Sequence, residues 1–163
     1  PFQPLGGNTI FQLERAKLIL WRGRCSVHTR FTVNQIRSAR LQHPSVKVIV
    51  HPECPMETVQ EADFNGSTEY IINLVQKSPG GSSWAIGTEI NLVNRLAQEN
   101  PDKSVVSLDS VVCPCSTMYR IHPAYLLWVL ESLLDGKVIN QITVPEDVMG
   151  DAQTALERML ALA

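Results

Sequence analysis

The sequence predicts an α/β protein built from βαβ units around a mostly parallel β-sheet. Short apolar runs rich in β-branched residues alternate with helical patterns along most of the 163 residues. Such alternation is typical of βαβ units, whose strands lie parallel and buried. A hydrophobic content of 44% and a charged content of 18% are ordinary for a globular chain that buries a sizeable core.

Four apolar runs are predicted to be strands because each is short, aliphatic and bounded by turn residues. In chain order they are residues 18–21, 46–50, 84–88 and 104–108. A last short extended piece is expected at 138–143.

Apolar residues at helical spacing predict the connecting helices, which are 32–43, 56–62, 69–76, 89–99, 121–134 and 145–162. Thr32 is placed to cap the first of them, and either Ser67 or Thr68 the third. Pro123 lies in the first turn of the fifth, which is expected to be strongly amphipathic. Residues 63–68 are predicted to form a turn.

Reactive side chains follow the ends of the predicted strands. They are Cys25, His28, His51, Glu53, Cys54, Thr88, Cys113 and Cys115. In open α/β sheets, ligands bind beyond the carboxyl ends of the strands. We therefore expect these loops to face one crevice, although no internal repeat is evident at the residue level.

Each group has a functional and a structural interpretation. Cationic neighbours of Cys25 favour a thiolate that binds metal, and the alternative is a buried structural cysteine. The pair Cys113 and Cys115 precedes a helix, which favours soft-metal ligation, although such pairs are also redox pairs. His51 and Glu53 point the same way from an extended segment, so they form either an acid/base pair or a solvated strand end.

Composition excludes several classes of function. The net charge is −2, from 14 basic and 16 acidic residues, so binding to nucleic acid is not favoured. No run reaches the roughly 18 apolar residues of a membrane span, and no secretory signal opens the sequence, so a cytoplasmic protein is expected. Four cysteines in such a chain indicate metal or redox chemistry. One zinc set, at the permitted spacing, is Cys25, His28, His51 and Cys54.

Five stretches, in this order, resemble the quinolinate synthase family over nearly the whole chain. They are Trp21-Arg-Gly-Arg-Cys25-Ser-Val-His28, His51-Pro-Glu-Cys54, Gly66-Ser-Thr68, Gly87-Thr-Glu-Ile90 and Cys113-Pro-Cys-Ser-Thr-Met118. The wording of the last stretch is most similar to the cyanobacterial branch.

The resemblance implies an enzyme of de novo NAD biosynthesis that condenses iminosuccinate with dihydroxyacetone phosphate to give quinolinate. It also implies three similar α/β/α domains in a pseudo-threefold arrangement, each with one cysteine for a [4Fe-4S] cluster that acts as a Lewis acid. A functional link to L-aspartate oxidase and a homodimer are further expectations.

Residue by residue, the resemblance matches Cys25 to the second cluster cysteine and Cys115 to the third, with Cys113 as the open alternative. His51, Pro52 and Glu53 match a substrate-contacting His-Pro-Glu, in which Glu53 and His51 are the candidate catalytic residues. The remaining substrate contacts that it implies are Ser67 and Thr68.

The resemblance further implies a partial chain that is inactive alone. Residues 1–30 would end the second domain, residues 31–138 would form the third, residues 139–163 a terminal strand and helix, and the first domain would be missing. The competing hypothesis is a non-catalytic α/β domain with a structural zinc or a redox Cys-x-Cys site.

Overall fold

The computed structural model describes residues 23–111 and 114–161. The chain divides into two compact units, one that ends at Tyr119 and one that begins at Arg120. The predicted strand at 18–21 and Cys113 lie outside the described residues.

A four-stranded parallel sheet forms the centre of the first unit. Its strands are β1 (Lys47–Val50), β2 (Phe64–Asn65), β3 (Ser83–Gly87) and β4 (Ser104–Ser107), in the spatial order β2-β1-β3-β4. Because all neighbouring pairs are parallel, the carboxyl ends of the four strands meet at one edge of the sheet. This is the edge at which the sequence predicts the site.

Helices cover both faces of the sheet, as the resemblance to a family of α/β/α domains implies. Val48 and Val50 of β1 pack in one buried cluster with Ile36 of α1 (Val33–Gln42) and Val59 of α2 (Met56–Glu61). Ile49 points to the opposite face, because side chains alternate along a strand, and packs with α3 (Thr68–Lys77) and α4 (Ile90–Glu99). The three-layer α/β/α arrangement is therefore confirmed.

Local signals set the helix starts near the site. Thr32 caps α1 in a capping box with Gln35, whose Oε1 accepts the Thr32 N–H at 2.8 Å. Ser67, rather than Thr68, caps α3, because its hydroxyl accepts the Tyr70 N–H at 3.3 Å. Strand β2 lies in the segment predicted as a turn. Its two residues are too few to show an alternating pattern.

The second unit contains α5 (Pro123–Leu134) and α6 (Glu146–Leu160). The expected strong amphipathicity of α5 is wrong, since residues 124–130 are all apolar and therefore surround the helix. The extended piece at 138–143 is irregular, and within the described ranges the strands all belong to the sheet of the first unit. No helix in the described part of the chain is both long and apolar enough to cross a membrane.

Candidate active site

Loops that leave β1, β2 and β3 start at the carboxyl edge of the sheet and carry polar side chains. These are His51, Glu53, Ser67, Thr68, Thr88 and Glu89, and Pro52 lies between the first two. A 3-10 turn at His28–Arg30, just before α1, brings a second histidine to this edge. The site is thus assembled from segments far apart in sequence, because parallel strands end on the same side.

His28 connects the loops that form the site. The residue is buried, at 8% exposure, and its two ring nitrogens have partners from two different strand ends. Nδ1 lies 2.8 Å from Glu53 Oε2, and Nε2 lies 3.3 Å from Thr88 Oγ1. A hydrogen bond to a carboxylate fixes the orientation of an imidazole and of the carboxylate alike. His28 therefore holds Glu53 in place relative to the end of β3.

His51 stacks on His28, with ring centroids 4.1 Å apart and planes 9° from parallel. Its Nδ1 accepts the Glu53 N–H at 3.3 Å and lies 3.7 Å from Glu53 Oε2. Burial lowers the pKa of His51, and the nearby His28 lowers it further, while Glu53 opposes the change. His51 is therefore a neutral imidazole at pH 7, and the acceptor role of Nδ1 leaves the proton on Nε2.

Cys25 completes a group of three possible metal ligands. Its Sγ, a nitrogen of His28 and a carboxylate oxygen of Glu53 all lie within 4.8 Å of one another. Cys25 and Cys115 are both half-buried and pack against the same core cluster. Thiolates are the ligands of iron–sulfur clusters. The two cysteines thus fit such a cluster in donor chemistry.

The four-residue zinc set is not assembled. Among the residues that the structure describes, the group of close ligand atoms contains neither His51 nor Cys54. The thiol of Cys54 points instead to the Gly87 carbonyl at 3.7 Å. Face-to-face stacking of His28 and His51 also keeps their nitrogens from converging on one ion.

Ser67 and Thr68 are exposed at the start of α3, immediately beyond β2. Gly66 precedes them and donates its N–H to the Val50 carbonyl at 3.2 Å. A Cβ atom at this position would lie 2.8 Å from the Cβ of Tyr70, so only glycine permits this close approach. The hydrogen bond of Gly66 therefore fixes the start of α3, which carries the two hydroxyls, at the end of β1.

The structure reveals a short repeat that the sequence analysis missed. Cys25 and Cys115 are each followed by serine, each precede a 3-10 turn, and each accept at their carbonyl the N–H four residues later, from Thr29 at 3.1 Å and Tyr119 at 2.9 Å. The turns end at Arg30 and Arg120. Each turn is followed by a capping residue and a helix, Thr32 with α1 and His122 with α5. Cys115, and not Cys113, is therefore the counterpart of Cys25.

Comparison with known proteins shows the family of the chain. The family model described as quinolinate synthetase A protein matches residues 1–161. The chain belongs to the quinolinate synthetase A family. Quinolinate synthase from Corynebacterium glutamicum is 59% identical over 162 residues, which cover 99% of this chain and 41% of the relative.

Two further quinolinate synthases support the family assignment. The protein from Anoxybacillus flavithermus is 58% identical over 93% of the chain, and that from Streptomyces coelicolor is 52% identical over 99%. Those matches cover 41% and 42% of the relatives. The chain thus spans about two fifths of the length of the curated relatives it matches.

Within the quinolinate synthetase A fold, His28 and Thr88 are the site residues that sequence reasoning underestimated. The sequence alone indicates His28 only as a cation near Cys25 or a zinc ligand, and Thr88 only as a hydroxyl at a strand end. The repeat is the sequence signal that points to His28. Met118 stands at the corresponding position after Cys115, so only the copy that contains Cys25 has a histidine there. The contacts of His28 span 25 and 60 residues of sequence, so no local pattern predicts them.

Stability of this protein at alkaline pH is expected to depend on Cys54. Burial raises the pKa of its thiol from 9.0 to about 12, so at neutral pH it is a protonated thiol and not a thiolate ligand. Above about pH 9 the unfolded chain loses this proton and the folded chain keeps it, so stability falls as the pH rises toward 12. At about pH 10.5 the loss amounts to about 2 kcal/mol of the free energy of unfolding.

Urea unfolding of the full-length protein under reducing conditions, at several pH values, measures this dependence. Lysines and tyrosines also titrate in this range, so the informative quantity is the difference between the wild type and Cys54→Ala. We expect the variant to be less stable at pH 7 and to lose less stability above pH 9. Parallel profiles for the two proteins would contradict the prediction.

Proposed function

We propose that this chain forms part of a quinolinate synthase, which condenses iminosuccinate with dihydroxyacetone phosphate and releases phosphate and water in the de novo synthesis of NAD. The observation that carries the proposal is the group of Cys25, His28 and Glu53 at the carboxyl edge of the sheet, in a chain of the quinolinate synthetase A family. It combines a thiol ligand with acid/base groups at the place where α/β sheets bind substrates.

Cys25 and Cys115 are the proposed protein ligands of a [4Fe-4S] cluster, together with a ligand from the rest of the longer enzyme. The repeat favours Cys115 over Cys113 for this role. When bound, the cluster supplies a Lewis acid for the substrate. The protein's own residues then orient the substrate and move its protons.

Glu53 is the proposed general acid/base. Its side chain is 46% exposed, so it can reach a substrate while His28 holds one carboxylate oxygen at 2.8 Å. His51 offers a neutral Nε2–H as a donor to a substrate oxygen. Pro52 joins the two residues, and its fixed φ limits the motion of this loop.

Ser67 and Thr68 are the proposed anion-binding residues. Both substrates carry negative charge, and the first N–H groups of α3 lie beside two exposed hydroxyls. A helix N-terminus stabilises carboxylates and phosphates through these groups and its dipole. This arrangement holds an anionic substrate near His51 and Glu53.

The wider assignment follows the same proposal. Residues 1–30 complete a second domain, residues 31–138 form a third, and residues 139–163 form the terminal segment of a pseudo-threefold enzyme. The enzyme works in the cytoplasm, has a functional link to L-aspartate oxidase, and forms a homodimer.

Purification of the full-length gene product without air tests the function. We expect a brown protein with iron and acid-labile sulfide that forms quinolinate only when iminosuccinate and dihydroxyacetone phosphate are both supplied. The mixed sulfur, nitrogen and oxygen set of Cys25, His28 and Glu53 also suits zinc. A colourless protein that contains zinc and forms no quinolinate would therefore support the structural-zinc alternative and overturn the proposal.

A further inference from the structure

An ion pair joins the turn after Cys25 to the loop that leads to Cys115. Arg30 Nη2 donates to Asp109 Oδ2 at 3.3 Å. Arg30 ends the 3-10 turn at His28–Arg30, and Asp109 lies just beyond β4, before the Cys113-Pro-Cys115 stretch. The two residues are 79 positions apart in sequence, so the pair links two segments that nothing local holds together.

Asp109 is not an ordinary surface carboxylate. Its side chain is only 11% exposed, and its second oxygen, Oδ1, accepts the Val111 N–H at 2.9 Å. Its own N–H donates to Ser107 Oγ at 3.3 Å. The Asp109 carboxylate therefore stabilises the turn after β4 and also binds Arg30. Removing the arginine leaves the largely buried Asp109 carboxylate without its ion-pair partner, which is costly.

The pair lies beside the site. Arg30 and Asp109 line a small cavity together with Thr88 and Val27. Thr88 is also the partner of His28 Nε2, at 3.3 Å. The repeat places an arginine five residues after each cysteine, Arg30 after Cys25 and Arg120 after Cys115.

We propose that Arg30 and Asp109 are positioning residues. They hold the loops of Cys25 and Cys115 in the relative positions that let both cysteines bind one metal cluster. The inference rests on the proposed function, in which both cysteines ligate one cluster. Ligands of a metal site must be held within about 0.5 Å of the productive geometry by supporting residues. Each cysteine lies on a separate loop, and this ion pair cross-links the segments that carry them, in addition to the core cluster against which both cysteines pack.

The chain offers a matched control. Arg40 Nη2 pairs with Asp63 Oδ1 at 3.0 Å, with side chains 34% and 38% exposed, and Asp63 Oδ2 accepts the Val48 N–H at 2.7 Å. In both pairs an aspartate binds an arginine and a backbone N–H, and Arg40 also donates to the Glu61 carbonyl at 3.0 Å, so Asp63→Asn is the better matched of the two control variants. It joins α1 to the segment between α2 and β2 instead of joining cysteine loops.

The test compares Arg30→Gln, Asp109→Asn, Arg40→Gln and Asp63→Asn in the full-length protein. The readouts are iron and sulfide per chain, the rate of cluster loss to a chelator without air, and the melting temperature. We expect about 10-fold faster cluster loss in Arg30→Gln and Asp109→Asn, the size typical of residues that orient metal ligands. Arg30→Lys should recover part of the loss, because it keeps the charge. The Arg40 and Asp63 variants should lose stability without faster cluster loss.

Cysteine replacement separates the two levels of the proposal. Retention of iron in Cys25→Ser would overturn the metal assignment and this inference with it. Loss of iron in Cys25→Ser, combined with equal chelator rates in Asp109→Asn and Asp63→Asn, would overturn only the inference. Should Asp109→Asn fail to fold, Arg30→Gln and Arg30→Lys decide the matter, since they leave the Asp109 carboxylate and its hydrogen bond to the Val111 N–H in place.

Discussion

Cys25→Ser and Cys115→Ser, each introduced into the full-length protein, are expected to abolish both the cluster and quinolinate formation. A serine hydroxyl is a poor substitute for a thiolate ligand of iron, and removing one ligand loosens the whole cluster. Cys113→Ser is expected to keep the cluster. The reason is the repeat, in which the carbonyl of Cys115 accepts the Tyr119 N–H at 2.9 Å, as that of Cys25 accepts the Thr29 N–H at 3.1 Å.

Iron and sulfide analysis without air, followed by a quinolinate assay, checks this prediction. Cys54→Ala is the control, because Cys54 is a buried thiol that donates to the Gly87 carbonyl and should not affect metal content. Loss of the cluster in Cys113→Ser but not in Cys115→Ser would reverse the assignment. Unchanged metal content and activity in Cys25→Ser, Cys113→Ser and Cys115→Ser would mean that the cluster hypothesis is wrong.

The layers of the fold follow from sequence because they depend on local patterns. The run that becomes β1 is aliphatic on both faces, which is the composition of a strand buried between two helical layers, and it is buried on both sides in the structure. Thr32 predicts the start of α1, and the structure adds its capping-box partner, Gln35. The sequence does not predict strand β2, since its two residues gain their strand geometry from the neighbouring β1 and not from their own sequence.

The site is only partly visible in sequence. His51 and Glu53 are predicted to point the same way because they are two residues apart, and the structure places Nδ1 and Oε2 3.7 Å apart. Glu53 and His28 form the shorter contact, at 2.8 Å, and this pair arises only when the turn after Cys25 packs over the end of β1. The same holds for Arg30 and Asp109. Contacts set by packing over long sequence distances cannot be predicted from spacing.

Glu53→Gln is the second large expected effect. The substitution keeps the size of the side chain, and its amide oxygen can still accept a hydrogen bond from His28 Nδ1. It removes the carboxylate that takes and returns a proton. If Glu53 is the general acid/base, kcat should fall by about 10²–10⁴-fold, and KM should change much less.

The measurement is the steady-state rate of quinolinate formation by the full-length protein, together with its iron content. Iron must stay at the wild-type level, because Glu53 lies close to Cys25 and a lost cluster would lower activity for a different reason. Glu57→Gln is the matched control, since Glu57 is exposed in the first turn of α2, only four residues away. A kcat for Glu53→Gln within about threefold of the control, with the cluster intact, would exclude Glu53 from proton transfer. The acid/base role would then pass to His28 or His51, whose rings stack 4.1 Å apart beside it.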